Sequence, residues 1–207
     1  MTKVTRRTQA ARTEATTSAL VDAARELFAR DGYDATSLDA VAASAGVTKG
    51  AVYHHFDGKR QLFEAVFARE VDRIAAPLAA VYARKKDPWD AFRAACTAFL
   101  DECLDPGRQR IMLLDASAAI GWEQIRRLES PLLEMMALAI SRAAEAGRIA
   151  PRKSGPLAHF LYGALCETAM IVARADDQKA AHRDAVVEIG RVLDGLLASR
   201  FRRDHAR

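Results

Sequence analysis

The chain has 207 residues, 50% of them hydrophobic and 28% charged, with a formal charge of +4. This is ordinary globular composition, long enough to bury a core unaided, and it excludes a low-complexity chain or a small scaffold held by staples. The charge excess is too small to prove a nucleic-acid partner, so its placement matters more than its size.

Lys3, Arg6, Arg7 and Arg12 fall in the first twelve residues without an acid. Residues 1–15 are polar and show no hydrophobic period, so they read as a basic flexible arm. A phosphate or minor-groove arm and a solubilising tail both fit. Leu20, Ala23, Ala24, Leu27 and Phe28 then repeat at helical spacing, which predicts a helix from about Thr17 to Arg30, ended by Gly32. Leu38, Val41, Ala42 and Ala45 form the apolar face of a second helix. Thr36 is placed as its N-cap, with Asp39 as the reciprocal acidic partner. Gly46 suits a left-handed helix end, and Val47 can plug the corner that follows. Thr48 can cap a third helix, with Val52 and Phe56 inward. A helix, a glycine-containing turn and a second short helix make the plan of a helix-turn-helix. Lys49, Gly50, Tyr53 and His54 point outward from its second helix. Such short or flexible polar groups suit a major groove, and Lys49 can donate to guanine or to a phosphate. A helical hairpin with a solvated outer face has the same spacing, and these residues alone leave both readings open.

Asp57-Gly58 marks a turn. A long helix opens at Lys59, with Leu62, Phe63, Val66, Phe67, Val71 and Ile74 inward, and Pro77 is expected to kink or end it. A cation at a helix start is unfavourable by a few tenths of a kcal/mol, a sign that a nearby phosphate reverses. Residues 84–88 read as a linker, with Asp87 and Pro88 as N-cap and first residue of the next helix. That helix carries Trp89, Phe92, Cys96, Phe99, Leu100, Cys103 and Leu104. Another starts near Arg108 and breaks at Gly121. The run from Trp122 to Ala146 either kinks or restarts at Ser130-Pro131. Gly147 caps it, and two further helices are expected over 157–174 and about 181–201. The last eight residues carry Arg200, Arg202, Arg203 and Arg207 against Asp204, a second basic end. No segment alternates with period two, so the fold class is all-α. Cys96, Cys103 and Cys166 are odd in number and lack a C-x-x-C pair, so they read as buried structural thiols. No signal peptide is visible and no apolar run approaches a membrane span, which predicts a cytoplasmic protein without a membrane partner.

Residues 20–67 resemble the DNA-binding domain of the TetR family of bacterial transcriptional regulators. The resemblance is carried by Ala24-Arg25-Glu26-Leu27-Phe28, Gly32-Tyr33, Thr36 to Ala42, Ala45 to Phe56 (which ends in Tyr-His-His-Phe), and Lys59-Arg60-Gln61-Leu62-Phe63. It implies a three-helix DNA-binding domain with a helix-turn-helix over residues 16–58. A larger helical effector-binding and dimerisation domain would follow over 59–207. It implies DNA contacts from Thr36, Ser37, Thr48, Lys49, Gly50, Tyr53, His54, His55 and Lys59, the last as a phosphate contact. It further implies a homodimer formed through the last two helices on a double-stranded, near-palindromic operator. The expected function is repression, relieved by a small and largely apolar effector.

Methionines and aromatics together can line an adaptable cavity in that second half. The candidates are Trp89, Phe92, Phe99, Met112, Trp122, Met135, Met136, Phe160, Cys166 and Met170, with Tyr162 on the same stretch. Each is also a plausible core residue. Glu167 sits in an apolar run and is expected to bond a ligand or the dimer partner. No catalytic residue, metal or cofactor is expected. A di-metal bundle would need Glu-x-x-His motifs, and a glycine-rich phosphate loop or a Ser-His-Asp set is likewise missing from the sequence. His54 and His55 are adjacent, about 100° apart on a helix, and cannot easily grip one metal. A helical enzyme and an adaptor without DNA binding are the competing readings. The intact Lys49, Tyr53 and Lys59 pattern speaks against the adaptor.

Overall fold

The computed structural model describes the backbone of residues 3–198 and the side chains of residues 10–198. Among these residues there is no strand, only one isolated antiparallel bridge between Ile149 and Leu197. The helices are α1 (Lys3–Asp31), α2 (Leu38–Ser44), α3 (Lys49–His55), α4 (Lys59–Ala83), α5 (Pro88–Glu102), α6 (Pro106–Arg108), α7 (Ala116–Ile120), α8 (Trp122–Leu128), α9 (Ser130–Glu145), α10 (Ser154–Ala173) and α11 (Gln178–Leu196). Gln109–Asp115, between α6 and α7, is π-helical.

The chain divides into two compact units. The first holds the residues up to Glu70 together with Pro106–Ile125, and the second holds Val71–Asp105 with the described residues from Arg126 on. The first unit thus includes residues 59–70 and 106–125, beyond the boundary at 58 drawn from the sequence.

In the first unit, Leu20, Ala24, Leu27 and Phe28 of α1 are buried with Val41, Val52, Phe56, Leu62, Phe63, Val66 and Phe67. Phe63 meets Phe28 and Tyr33 edge-on, with ring centroids 5.0 and 5.1 Å away. Each buried side chain of this size contributes roughly 1.5–3 kcal/mol. Helix α1 begins at Lys3, not near Thr17, and the segment read as a flexible arm is helical from that point. The apolar period marks only the packed face. Ala10 to Ala15 are exposed, so they show no period, yet they contain no glycine or proline to stop a helix. The second basic end, residues 200–207, lies outside the described residues.

The π-helical stretch replaces the α-helix expected from Arg108. Its i, i+5 geometry brings Arg110 Nε within 3.2 Å of Asp115 Oδ2. The Arg110 guanidinium fills the space where a Cβ on Gly32 would stand. Gly32 also has φ +85°, so glycine is required there twice over.

In the second unit, α9 packs on α5 and α10, and α11 packs on α5 and α10. Asp87 caps α5 by accepting from the N–H groups of Trp89 and Asp90, as the sequence indicates. Pro77 lies inside α4 and does not end it. A new helix starts at Ser130, one of the two alternatives at that point. Helix α10 is long and apolar enough to cross a membrane by length and composition, contrary to the expectation that no run approaches a span. Its apolarity has a simpler cause, because it presents one face to the core (Leu161, Leu165, Val172) and exposes Phe160 and Ile171 on another.

Candidate nucleic-acid interface and ligand cavity

Two capped ends fix the α2–α3 corner. Ser37, not Thr36, is the N-cap of α2, and its Oγ accepts from Ala40 N–H at 3.1 Å. Thr36 is 3% exposed and its hydroxyl donates to the Gly32 carbonyl at 2.8 Å, so that hydroxyl is not free for a phosphate. The two neighbouring hydroxyls are equivalent in a spacing argument, and burial decides between them. Gly46 has φ +67°, and the N–H groups of Gly46 and Val47 donate back to Ala43 and Ala42. Thr48 then caps α3 by accepting from Ala51 N–H at 3.2 Å. Val52 is fully buried and Phe56 is 6% exposed, which anchors the inner face.

The outer face of α3 carries Lys49, Gly50, Tyr53 and His54, all exposed, with Ser37 and Thr48 exposed beside them. Asp39 does not reach back to cap α2. It pairs with Lys49 Nζ at 2.8 Å across the corner, which raises the lysine pKa and keeps it cationic. His55 is half-buried, its Nδ1 3.1 Å from Thr17 Oγ1. Lys59 donates to the carbonyls of Tyr33 (2.8 Å) and Asp34 (3.1 Å) and lies 4.4 Å from the Tyr33 ring centroid. It therefore fastens the α1–α2 turn, a role the sequence did not reveal because the partners are backbone atoms about 25 residues away.

The second unit contains an apolar cavity of about 220 Å³ between the end of α4 and helices α5, α9 and α10. Phe92, Phe99, Met135, Met136 and Tyr162 line it. The other candidates do not. Trp89 is fully buried beside Phe92, and Met112 and Trp122 belong to the first unit, where Trp122 is 66% exposed. Cys166 and Met170 are half-buried on α10 away from the lining, and Glu167 is exposed. Phe160 is 68% exposed and lines a different groove. A methionine or aromatic marks the core in general, and α10 turns these side chains to other faces. Sequence reading missed Tyr82, Leu132 and Arg142. Tyr82 stands one turn beyond Leu78, and Arg142 stands seven residues beyond Met135, on the same helical stripes.

Polar atoms are few here. The hydroxyls of Tyr82 and Tyr162 are buried without a hydrogen-bond partner among the described residues. Tyr162 faces Glu129 and Cys166 without a well-directed bond to either. Burial pushes Tyr162 well above its ordinary pKa and Cys166 up to about 12. Burial likewise raises Glu129, offset in part by Arg126, whose Nη1 is 3.5 Å away. Burial also pushes Cys96 up to about 12, in line with an inert structural thiol. A groove of about 580 Å³ between α10 and α11 exposes Phe160, Ile171 and Val192, with Ala164, Thr168 and Ala185 between them.

Residues 20–66 match the family model described as bacterial regulatory proteins, tetR family, and residues 89–196 match the tetracyclin repressor-like C-terminal domain. The chain is similar to the crystal structure of a TetR-family transcriptional regulator from Pectobacterium atrosepticum. That chain is 34% identical, with a TM-score of 0.81, over 91% of this chain and 97% of that one. This chain belongs to the TetR family. Among curated relatives, the Transposon Tn10 TetC protein of Escherichia coli is 32% identical over 56% of this chain and 58% of its own length. The regulator SrpR of Pseudomonas putida is 47% identical over 30% of this chain and 29% of its own length. These curated matches thus span well under two thirds of the relatives. This TetR-family chain is a transcriptional regulator with a helix-turn-helix DNA-binding domain and a helical C-terminal domain.

Proposed function

We propose that the chain is a repressor that binds a near-palindromic operator as a homodimer and is released by a small, largely apolar effector. The observation that carries this reading is the outer face of α3. Lys49, Gly50, Tyr53 and His54 are exposed on a helix whose start, corner and inner face are all fixed, Lys49 in a surface pair with Asp39. Such a face can enter a major groove without paying to order itself. Lys49, Gly50 and Tyr53 read bases. Ser37, Thr48, Tyr53, His54, His55 and Lys59 meet the backbone, Lys59 with the one ammonium proton not spent on the 33–34 carbonyls. Thr36 supports the turn from within.

The dimer forms through α10 and α11. Phe160, Ile171, Val187 and Val192 are each at least 48% exposed, more large apolar surface than two adjacent helices of a monomer ordinarily leave bare. Small residues between them, and the open space beside Gly163, let a second helix pair approach. A two-fold dimer places two reading helices about 34 Å apart, or a multiple of that, on one side of the DNA. The effector occupies the cavity lined by Phe92, Phe99, Met135 and Met136. It releases DNA by preferring the DNA-incompetent state. The protein acts in the cytoplasm, as a regulator and not an enzyme.

Lys49→Ala tests the reading helix. Lys49 is exposed and pairs only with an equally exposed Asp39, so the fold should be unaffected, with operator affinity down by about 1–3 kcal/mol or discrimination between operator variants lost. Titration of labelled operator variants measures this. Wild-type binding to every variant would mean that α3 does not read the DNA.

A further inference from the structure

The geometry points to a specific head group on the cavity's ligand: a single carboxylate on an apolar chain, held at the mouth by Arg142 and Tyr82. The inference rests on the reading of this cavity as the effector site and adds the chemical class. Three observations carry it. First, among the described residues Arg142 is the sole charged side chain in the lining, and no carboxylate lines the cavity beside it. Second, Arg142 is exposed and makes no ion pair among the described residues, so its charge is not compensated by a carboxylate of the chain described. Third, Tyr82 lines the same cavity, and its hydroxyl is buried with no hydrogen-bond partner among the described residues.

A buried hydroxyl without a partner is destabilising, and a ligand acceptor reaching it would remove that penalty. Arginine and a phenol are both donors, and together they suit an acceptor-only, negatively charged group. A cationic head would meet the guanidinium and be repelled. A neutral alcohol would gain only the phenol. Beyond the mouth the walls are Leu, Phe, Met and Ala, which bind hydrocarbon by burial alone. Along α9 the lining runs from Arg142 back to Leu132, ten residues or about 15 Å of helix. The chain therefore extends from the arginine toward Tyr162. The groups around that far end are Glu129, Arg126 and Cys166, and Glu129 disfavours a carboxylate there.

The test uses the full chain and three ligands that share one tail: decanoate, decanol and protonated decylamine, each below its micelle-forming concentration. Calorimetry and thermal shift measure binding to wild type and to Arg142→Gln. Decanoate is expected to bind wild type roughly five- to tenfold tighter than decanol, with decylamine weakest. In Arg142→Gln the decanoate advantage should vanish while decanol binding stays, which also shows that the cavity survives the substitution. Tyr82→Phe should reduce decanoate binding in part. Equal binding of all three ligands, a persistent advantage in Arg142→Gln, or no binding of any overturns the inference. Head-selective binding that leaves operator retention unchanged upholds it and removes the effector role instead.

Discussion

Glu129 is 6% exposed, and burial holds its carboxyl above the ordinary value near 4.5. The folded chain therefore keeps that proton to a higher pH than the unfolded chain does. Wherever the native state binds more protons, stability falls as pH rises. The contribution is fully present below about pH 4.5 and declines as pH climbs through the raised value. Glu129→Gln keeps the neutral shape and removes the titration. Melting temperatures across pH 4 to 7 should therefore fall more for wild type than for the variant, and parallel curves would contradict the assignment. Other side chains show how far spacing reaches at this scale. Lys49, Gly50, Tyr53 and His54 were legible as outward because Val52 and Phe56 fix the inner face of a short helix. Thr36 and Ser37 were not separable, since only the Gly32 carbonyl distinguishes them. Arg142 and Tyr82 were passed over because a charged or phenolic residue on an apolar stripe reads as the rim of a core.

Three elements of the first unit meet at one carboxylate. Glu70 of α4 is fully buried, with Arg25 Nε of α1 at 3.0 Å and Arg108 Nε of α6 at 3.2 Å. Removing one member of a fully buried group costs about 3–5 kcal/mol, and the loss of Glu70 is expected toward the lower end because the Arg25 side chain it leaves is 27% exposed. Glu70→Ala should lower the denaturation midpoint of the full chain accordingly, and Glu70→Gln less, since it keeps one acceptor. A loss under about 1 kcal/mol for Glu70→Ala would show that the three charges are independently solvated. The same scale explains what was missed about the helices. Interiors such as α5 were legible because Trp89, Phe92, Cys96 and Phe99 repeat on a buried face. The start of α1 was not, because an exposed helix end carries no apolar period. The π-helical turn at 109–115 was not either: Asp115 at its end accepts from the Tyr33 N–H at 2.8 Å, a contact across 82 residues that a local pattern does not carry.

For the whole molecule, local pattern and family resemblance together reached the all-α class and the DNA-reading domain. The second half was legible only as helices. Which faces line a cavity and which stay bare depends on how five helices stack, and composition does not encode that. Hence Phe160 reads as a cavity residue by its type, whereas it stands exposed on α10 beside the α10–α11 groove. The central claim joins both halves: a dimer that reads a two-fold DNA site through α3. Its affinity should come largely from phosphate contacts and fall steeply with salt, because each neutralised phosphate releases counterions. The most direct test is a footprint of the full chain on the DNA flanking its own gene, at about 50 and about 200 mM salt. The expected result is a protected near-palindrome with two half-sites on one face of the helix, fading at the higher salt. Absence of protection at low salt, or protection of a single half-site indifferent to salt, would contradict the account.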